Sequence, residues 1–196
     1  MAQPYVSTRR GGGQWIMQRA SAAALVLLAG THFALQHFTT AAVSTGLTPW
    51  SDGKNTIGYC REVPSAQTVW LMTHGNAGQA ADRDYVLGRM SNQDSLYVLE
   101  YPGYGQREGS PSLESMNQAA SEAYRLLRLQ NANRAVCVLG ESIGSGPACS
   151  LVREKVPPDK ILLVVPFDSL ASVASKRFFF LPVRLLLHDA WDNVEA

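Results

Sequence analysis

An α/β fold with a mainly parallel sheet and flanking helices is what this sequence predicts, on three observations. Short apolar runs alternate with longer segments of helical periodicity from residue 57 onward. Two of those runs, 135–139 and 161–165, are nearly continuous in apolar residues, as parallel strands covered on both faces are. Gly- and Pro-bearing turns follow the runs directly, where such sheets place their ligands.

The elements can be justified in order. Residues 56–63 form a plausible first strand. Residues 68–74, Thr-Val-Trp-Leu-Met-Thr-His, are rich in β-formers and end at Gly75. Residues 79–90 read as a helix. Residues 95–101 form a third strand, ended by Pro102-Gly103. Leu113, Met116, Ala120, Ala123, Tyr124 and Leu127 recur at spacings of three and four, which is one face of an amphipathic helix. Ser110 or Ser112 can cap it, with Pro111 tolerated in the first turn. Residues 135–139 are a fourth strand, 143–155 a helix, and 161–165 a fifth strand stopped by Pro166.

At 196 residues, one domain is expected. A net charge of +1 offers no footprint for nucleic acid or an acidic polymer. Cys60, Cys137 and Cys149 form no C-x-x-C pair, and their odd number argues against a disulfide framework. They read as small core thiols. No metal cluster or cofactor motif is present, and none is expected.

The N-terminal segment, 1–50, differs from the rest. Arg9, Arg10 and Arg19 precede an apolar stretch from Ala20 to Leu35, and no Asp, Glu, Lys or Arg occurs between Arg19 and Asp52. Positive charge followed by an apolar run is the pattern of a signal peptide or signal anchor. Extending the run over 15–38 approaches the length of a span, with Trp15 and Phe38 near the two interfaces. His32, Gln36 and His37 weaken that extension. A membrane anchor is the favoured reading, with a cleaved signal or a peripheral helix as alternatives. The arginines would remain cytoplasmic and the folded part, 51–196, would lie on the opposite side.

Three motifs sit at strand ends. Gly140-Glu141-Ser142-Ile143-Gly144 follows one strand and opens a helix. A G-x-S-x-G in that context is a nucleophile elbow, with Ser142 as nucleophile. The turn is so sharp that only glycines two before and two after leave room. The helix start behind Ser142 supplies the Ile143 backbone N–H to a developing oxyanion. His74-Gly75-Asn76-Ala77-Gly78 matches the loop that donates the second such N–H, from Asn76. His74 itself reads as a brace for that loop and not as a base. Residues 101–112, Tyr-Pro-Gly-Tyr-Gly-Gln-Arg-Glu-Gly-Ser-Pro-Ser, make a tight loop without chemistry of its own.

Together these motifs resemble the α/β-hydrolase superfamily, in particular membrane-anchored α/β-hydrolase-domain proteins near the serine-aminopeptidase-like and monoacylglycerol-lipase-like branch. Pro166-Phe167-Asp168-Ser169-Leu170 and Leu181-Pro182-Val183 match further segments of that pattern. Arg107 departs from it where serine is usual, read here as a change in surface loop chemistry. The resemblance implies a serine hydrolase that cleaves an ester, thioester or amide through an acyl-enzyme on Ser142. A small-molecule or lipid-like acyl substrate is implied.

The resemblance also implies an acid and a histidine on strands beyond Ala196, so the sequence reads as an α/β-hydrolase fold lacking its C-terminal strands. Asp168 and His188 have the formal order of a triad after Ser142, but His188 falls in a helical pattern. Without a base the serine hydroxyl is a weak nucleophile. Two other readings compete: a non-catalytic, membrane-tethered interaction protein, and a hydrolase completed by another chain.

Overall fold

The computed structural model describes residues 46–76, 78–169, 172, 191 and 193. All lie in one unit of the chain, Thr40–Ala196. The expected anchor at 15–38, Ala77 and His188 fall outside the described residues.

Among the described residues six strands form one sheet: β1 (Thr48–Ser51), β2 (Thr56–Arg61), β3 (Thr68–Thr73), β4 (Ser95–Leu99), β5 (Ala135–Glu141) and β6 (Ile161–Val164). Their order is β1-β2-β4-β3-β5-β6. The β3–β4, β3–β5 and β5–β6 pairs are parallel, whereas β1–β2 and β2–β4 are antiparallel. Strand β1 was not foreseen. It contains Pro49 and pairs only with β2, the edge position that proline tolerates.

Alternation along each strand divides the core in two. Val69, Leu71, Tyr97, Leu99, Val136 and Val138 face helix α1 (Leu113–Gln130), which returns Met116, Ala120, Ala123, Tyr124 and Leu127. Met72, Leu96, Val98 and Leu139 face the other way, against Ala80 and Val86. Each large side chain buried in these layers contributes about 1.5–3 kcal/mol relative to exposure.

Helix α1 begins at the cap the sequence offers. The Ser112 hydroxyl accepts from Ser115 N–H while Ser115 Oγ accepts from Ser112 N–H. Pro111 therefore precedes the cap and lies outside the first turn. The other two helical segments differ from their expected form. Residues Ala80–Arg89 are 3-10 turns joined across a kink at Arg83. After β5 the chain passes through a 3-10 turn (Ser142–Gly144), helix α2 (Ser145–Ser150) and another 3-10 turn (Leu151–Arg153). Two glycines and Pro147 within seven residues explain why this is not one continuous α-helix. Cys60, Cys137 and Cys149 are free thiols, the first two buried.

Candidate active site

Strands β3, β4, β5 and β6 run parallel, so the segments after them gather at one edge of the sheet. Thr73 is paired with Gly140, and Glu141 with Val164. The 74–78 loop, Ser142 and the 165–169 segment thus leave from adjacent strands.

Ser142 is exposed and has φ of 50°, in the left-handed region that a side chain rarely adopts. Its neighbours impose this. A Cβ on Gly144 would overlap the carbonyl oxygen of Thr73, and one on Gly140 would lie 2.7 Å from the Ala148 Cβ. Chain and strand therefore touch on both sides of the serine, and both glycines are required by contact. The turn is also tied by hydrogen bonds. Thr73 Oγ1 donates to Gly144 O at 2.8 Å, and Ser145 Oγ donates to Ser142 O at 2.7 Å. Asn193 Nδ2 donates to that same Ser145 Oγ at 2.9 Å and to Phe167 O at 3.0 Å, linking the elbow to the segment after β6. Ile143 is the second residue of the helical turn that opens at Ser142, where backbone N–H groups have no intrahelical acceptor.

The 74–78 loop is pressed against the elbow. A Cβ on Gly75 would be 3.5 Å from the Ser142 Cβ. Gly75 N–H donates to Glu141 Oε2 at 3.2 Å, which leaves Asn76 as the next backbone donor along the loop. Asn76 is exposed, and its Oδ1 accepts from Tyr104 OH at 2.5 Å.

Beneath the loop lies a buried polar layer of which sequence reading offered only His74, as a brace. His74 is fully buried, with Nδ1 2.7 Å from Gly75 O and Nε2 3.4 Å from Glu100 Oε1. Glu100 is itself buried, and both its oxygens accept from Ala80 N–H, at 3.2 and 3.1 Å. Tyr101 OH donates to His74 O at 3.0 Å, and the Tyr101 and Tyr104 rings pack on the imidazole. Burial pushes the Tyr101 phenol well above its ordinary value, so it stays a donor. One signal for Glu100 was available: it is the only acid in the apolar run 95–101.

Arg107 departs from the expectation of a surface change. It is half-buried and donates through Nη1 to Glu100 O at 2.6 Å, fastening the 101–112 loop to the end of β4. Desolvation lowers its pKa, against the attraction of Glu122 and Asp52.

Of the two residues with the formal order of a triad, Asp168 is described. Asp168 Oδ1 accepts from its neighbour Ser169 N–H at 2.7 Å, and Asp168 O accepts from Asn193 N–H at 2.8 Å. His188 lies outside the described residues, and His74 is the one described histidine. Among the described residues no group of His, Cys, Asp and Glu could hold a metal ion.

No protein-family model matches the chain. It is 29% identical over 161 residues to lysophosphatidylserine lipase ABHD12 of Danio rerio, covering 79% of this chain and 42% of that one. It is 31% identical over 128 residues to an uncharacterised protein of Mycobacterium tuberculosis, covering 64% and 45%. The chain thus spans less than half the length of these curated relatives. Among solved structures, MenH from S. aureus superposes with a TM-score of 0.51 at 12% identity, covering 64% of this chain and 49% of that one. At such identity the superposition speaks for the fold alone. With this strand order and a strained turn at the end of β5, the chain has the α/β-hydrolase fold and is similar in sequence to these relatives.

Proposed function

We propose that this chain carries the nucleophile and oxyanion half of a serine hydrolase acting on a lipid-like acyl ester. The observation that carries it is Ser142, exposed and held at φ 50° between two glycines that contact makes obligatory. Strained backbone of this kind costs about 1–3 kcal/mol and persists where the surroundings over-determine it. In the reaction Ser142 Oγ attacks the acyl carbonyl, and the Asn76 and Ile143 N–H groups receive the oxyanion. The alcohol leaves on collapse, and water releases the acid from the acyl-enzyme. The acyl-lipid class follows the lipase among the relatives. A membrane anchor at 15–38 would keep the site beside such substrates. Among the described residues no helix is long and apolar enough to cross a membrane.

One observation favours a second reading, a hydrolase-like interaction protein. The described histidine, His74, is buried with Nδ1 beside Gly75 O, so its imidazole braces the loop and does not serve as a base. A fluorophosphonate probe applied to membranes containing the full gene product separates the two. Labelling that disappears in Ser142→Ala, together with fatty-acid release from single-chain phospholipids, is expected. A folded product that does not label would leave the interaction reading.

A further inference from the structure

The residue immediately before Ser142 is a glutamate, a position that the G-x-S-x-G pattern leaves open. Its side chain does not point idly to solvent. Glu141 Oε2 accepts from Gly75 N–H at 3.2 Å, and Oε1 accepts from Tyr85 OH at 2.9 Å. Arg83 Nη1 lies 3.7 Å from Oε2, and Arg83 Nη2 donates to Gly75 O at 3.4 Å. Glu141 and Arg83 therefore bracket both polar groups of Gly75. His74 Nδ1, 2.7 Å from the same Gly75 oxygen, is the third restraint.

This bracket acts on Asn76 through covalent geometry. Gly75 C=O and Asn76 N–H belong to one peptide unit, which is planar and trans. Holding the oxygen toward Arg83 and His74 turns the Asn76 N–H to the opposite side. We infer that Glu141 is a positioning residue, locking Gly75 with Arg83 so that the Asn76 N–H is aimed before substrate arrives. The inference rests on the serine-hydrolase reading of Ser142. It also explains the charge balance. A lone carboxylate one residue from the nucleophile would oppose a developing oxyanion, and the Arg83 guanidinium offsets it. Tyr85 completes the seat of the carboxylate. Burial, with Glu141 beside it, pushes its phenol up, so the hydroxyl remains a donor throughout the neutral range.

The test compares Glu141→Ala, which removes the acceptor, with Glu141→Gln, which keeps an acceptor for Gly75 N–H and removes the charge. In the full gene product, the rate constant of fluorophosphonate inactivation at saturating probe is expected to fall about tenfold or more in Glu141→Ala. The probe concentration at half-maximal rate should be unchanged. Glu141→Gln should recover the rate to within about threefold, since misplacing a donor by an ångström is a large loss and retaining it is not. Hydrogen–deuterium exchange is read in the Ser142→Ala background, where no reaction occurs. Peptides covering residues 74–79 should exchange faster with alanine at position 141 and normally with glutamine. Should Glu141→Ala not fold, Arg83→Met replaces it, with the same expected loss. Wild-type inactivation rates in the alanine and methionine variants overturn the inference, whatever the exchange shows. A wild type that does not label at all defeats the hydrolase reading instead. Exchange then decides whether Glu141 holds the loop, and unchanged exchange overturns that too.

Discussion

At the scale of single residues, two non-glycine positions among the described residues carry the same unusual backbone: Ser142 at φ 50° and Val165 at φ 51°. They follow directly on the paired residues Glu141 and Val164. The proposed hydrolase chemistry gives the strain at Ser142 a reason, whereas nothing in the structure explains it at Val165. Its side chain is 78% exposed, so little burial is lost by removing it. Left-handed backbone costs an L-residue about 1–2 kcal/mol, and glycine costs about 0.5–1 kcal/mol in chain entropy. Val165→Gly should therefore stabilise the fold by about 0.5–1 kcal/mol in urea titration. A destabilised variant would mean that the valine side chain makes contacts worth more than its strain. Gly144 behaves oppositely. An added methyl meets backbone, the Thr73 carbonyl, and backbone cannot step aside cheaply. Gly144→Ala should cost about 3 kcal/mol or more, at or beyond the upper end of overpacking effects. Gly88, with nothing within 4 Å of an added Cβ, is the control, and Gly88→Ala should be neutral or slightly stabilising.

At the scale of elements, α1 is joined to the chain that follows α2 by charges as well as by apolar packing. Arg125 donates to Glu154 through Nε at 2.8 Å and Nη2 at 3.1 Å, and Ser121 also donates to this carboxylate. The Arg125 hydrogen bond most of all holds the Glu154 carboxyl below its ordinary 4.5, with burial working against it. A depressed carboxylate pKa means that the unfolded chain binds the proton more tightly. This contribution is present above pH 4.5 and is lost as pH falls through the folded-state value. Thermal melts between pH 6 and about pH 3 should show a decline that is shallower in Glu154→Gln than in the wild type. Equal slopes would show that the pair adds nothing. Arg128, 2.8 Å from Asp159 Oδ2 and bonded to Pro157 O, makes a parallel tie to the segment leading into β6.

At the scale of the whole molecule, function and stability are divided between the strand ends and the layers. The segments after β3, β4, β5 and β6 meet at the carboxyl edge of the sheet, and each contributes to the candidate site or braces it. The covered faces are apolar and contribute no chemistry. The polar layer of His74, Glu100, Tyr101 and Tyr104 is the exception, a buried set directly under the loop that has to hold its shape. Buried polar groups are costly unless satisfied, and the Tyr101, Tyr104 and Glu100 hydrogen bonds of this layer favour one loop geometry, with His74 Nε2 held 3.4 Å from Glu100 without a hydrogen bond. At the far side of the sheet, β6 ends the strand order among the described residues, with Leu162 and Val164 exposed. An apolar edge of this kind is a surface onto which further strands pair.

Much of this was legible in the sequence because it is encoded locally. Apolar, β-forming runs ended by glycine or proline marked five of the six described strands, three-to-four spacing marked the long helix, and a capping serine marked where α1 begins. The elbow was readable because its glycines are required by contacts that any such turn must make. Strand β1 escaped because four residues that include a proline carry too little pattern. The three-part break after Ser142 escaped because glycine and proline weaken a helix without saying where it divides. The partners of Glu141, Glu100 and Arg107 escaped for a different reason. Their hydrogen bonds cross 66, 20 and seven residues of chain, and no local pattern encodes which distant amide a side chain will meet. The sequence by itself determined the fold class and which serine stands at the strained turn after β5, since local sterics decide both. Tertiary structure decided how that serine's surroundings are held. The carboxylate beside it, the guanidinium that offsets it and the peptide plane they fix belong to three segments that only the closed sheet brings together.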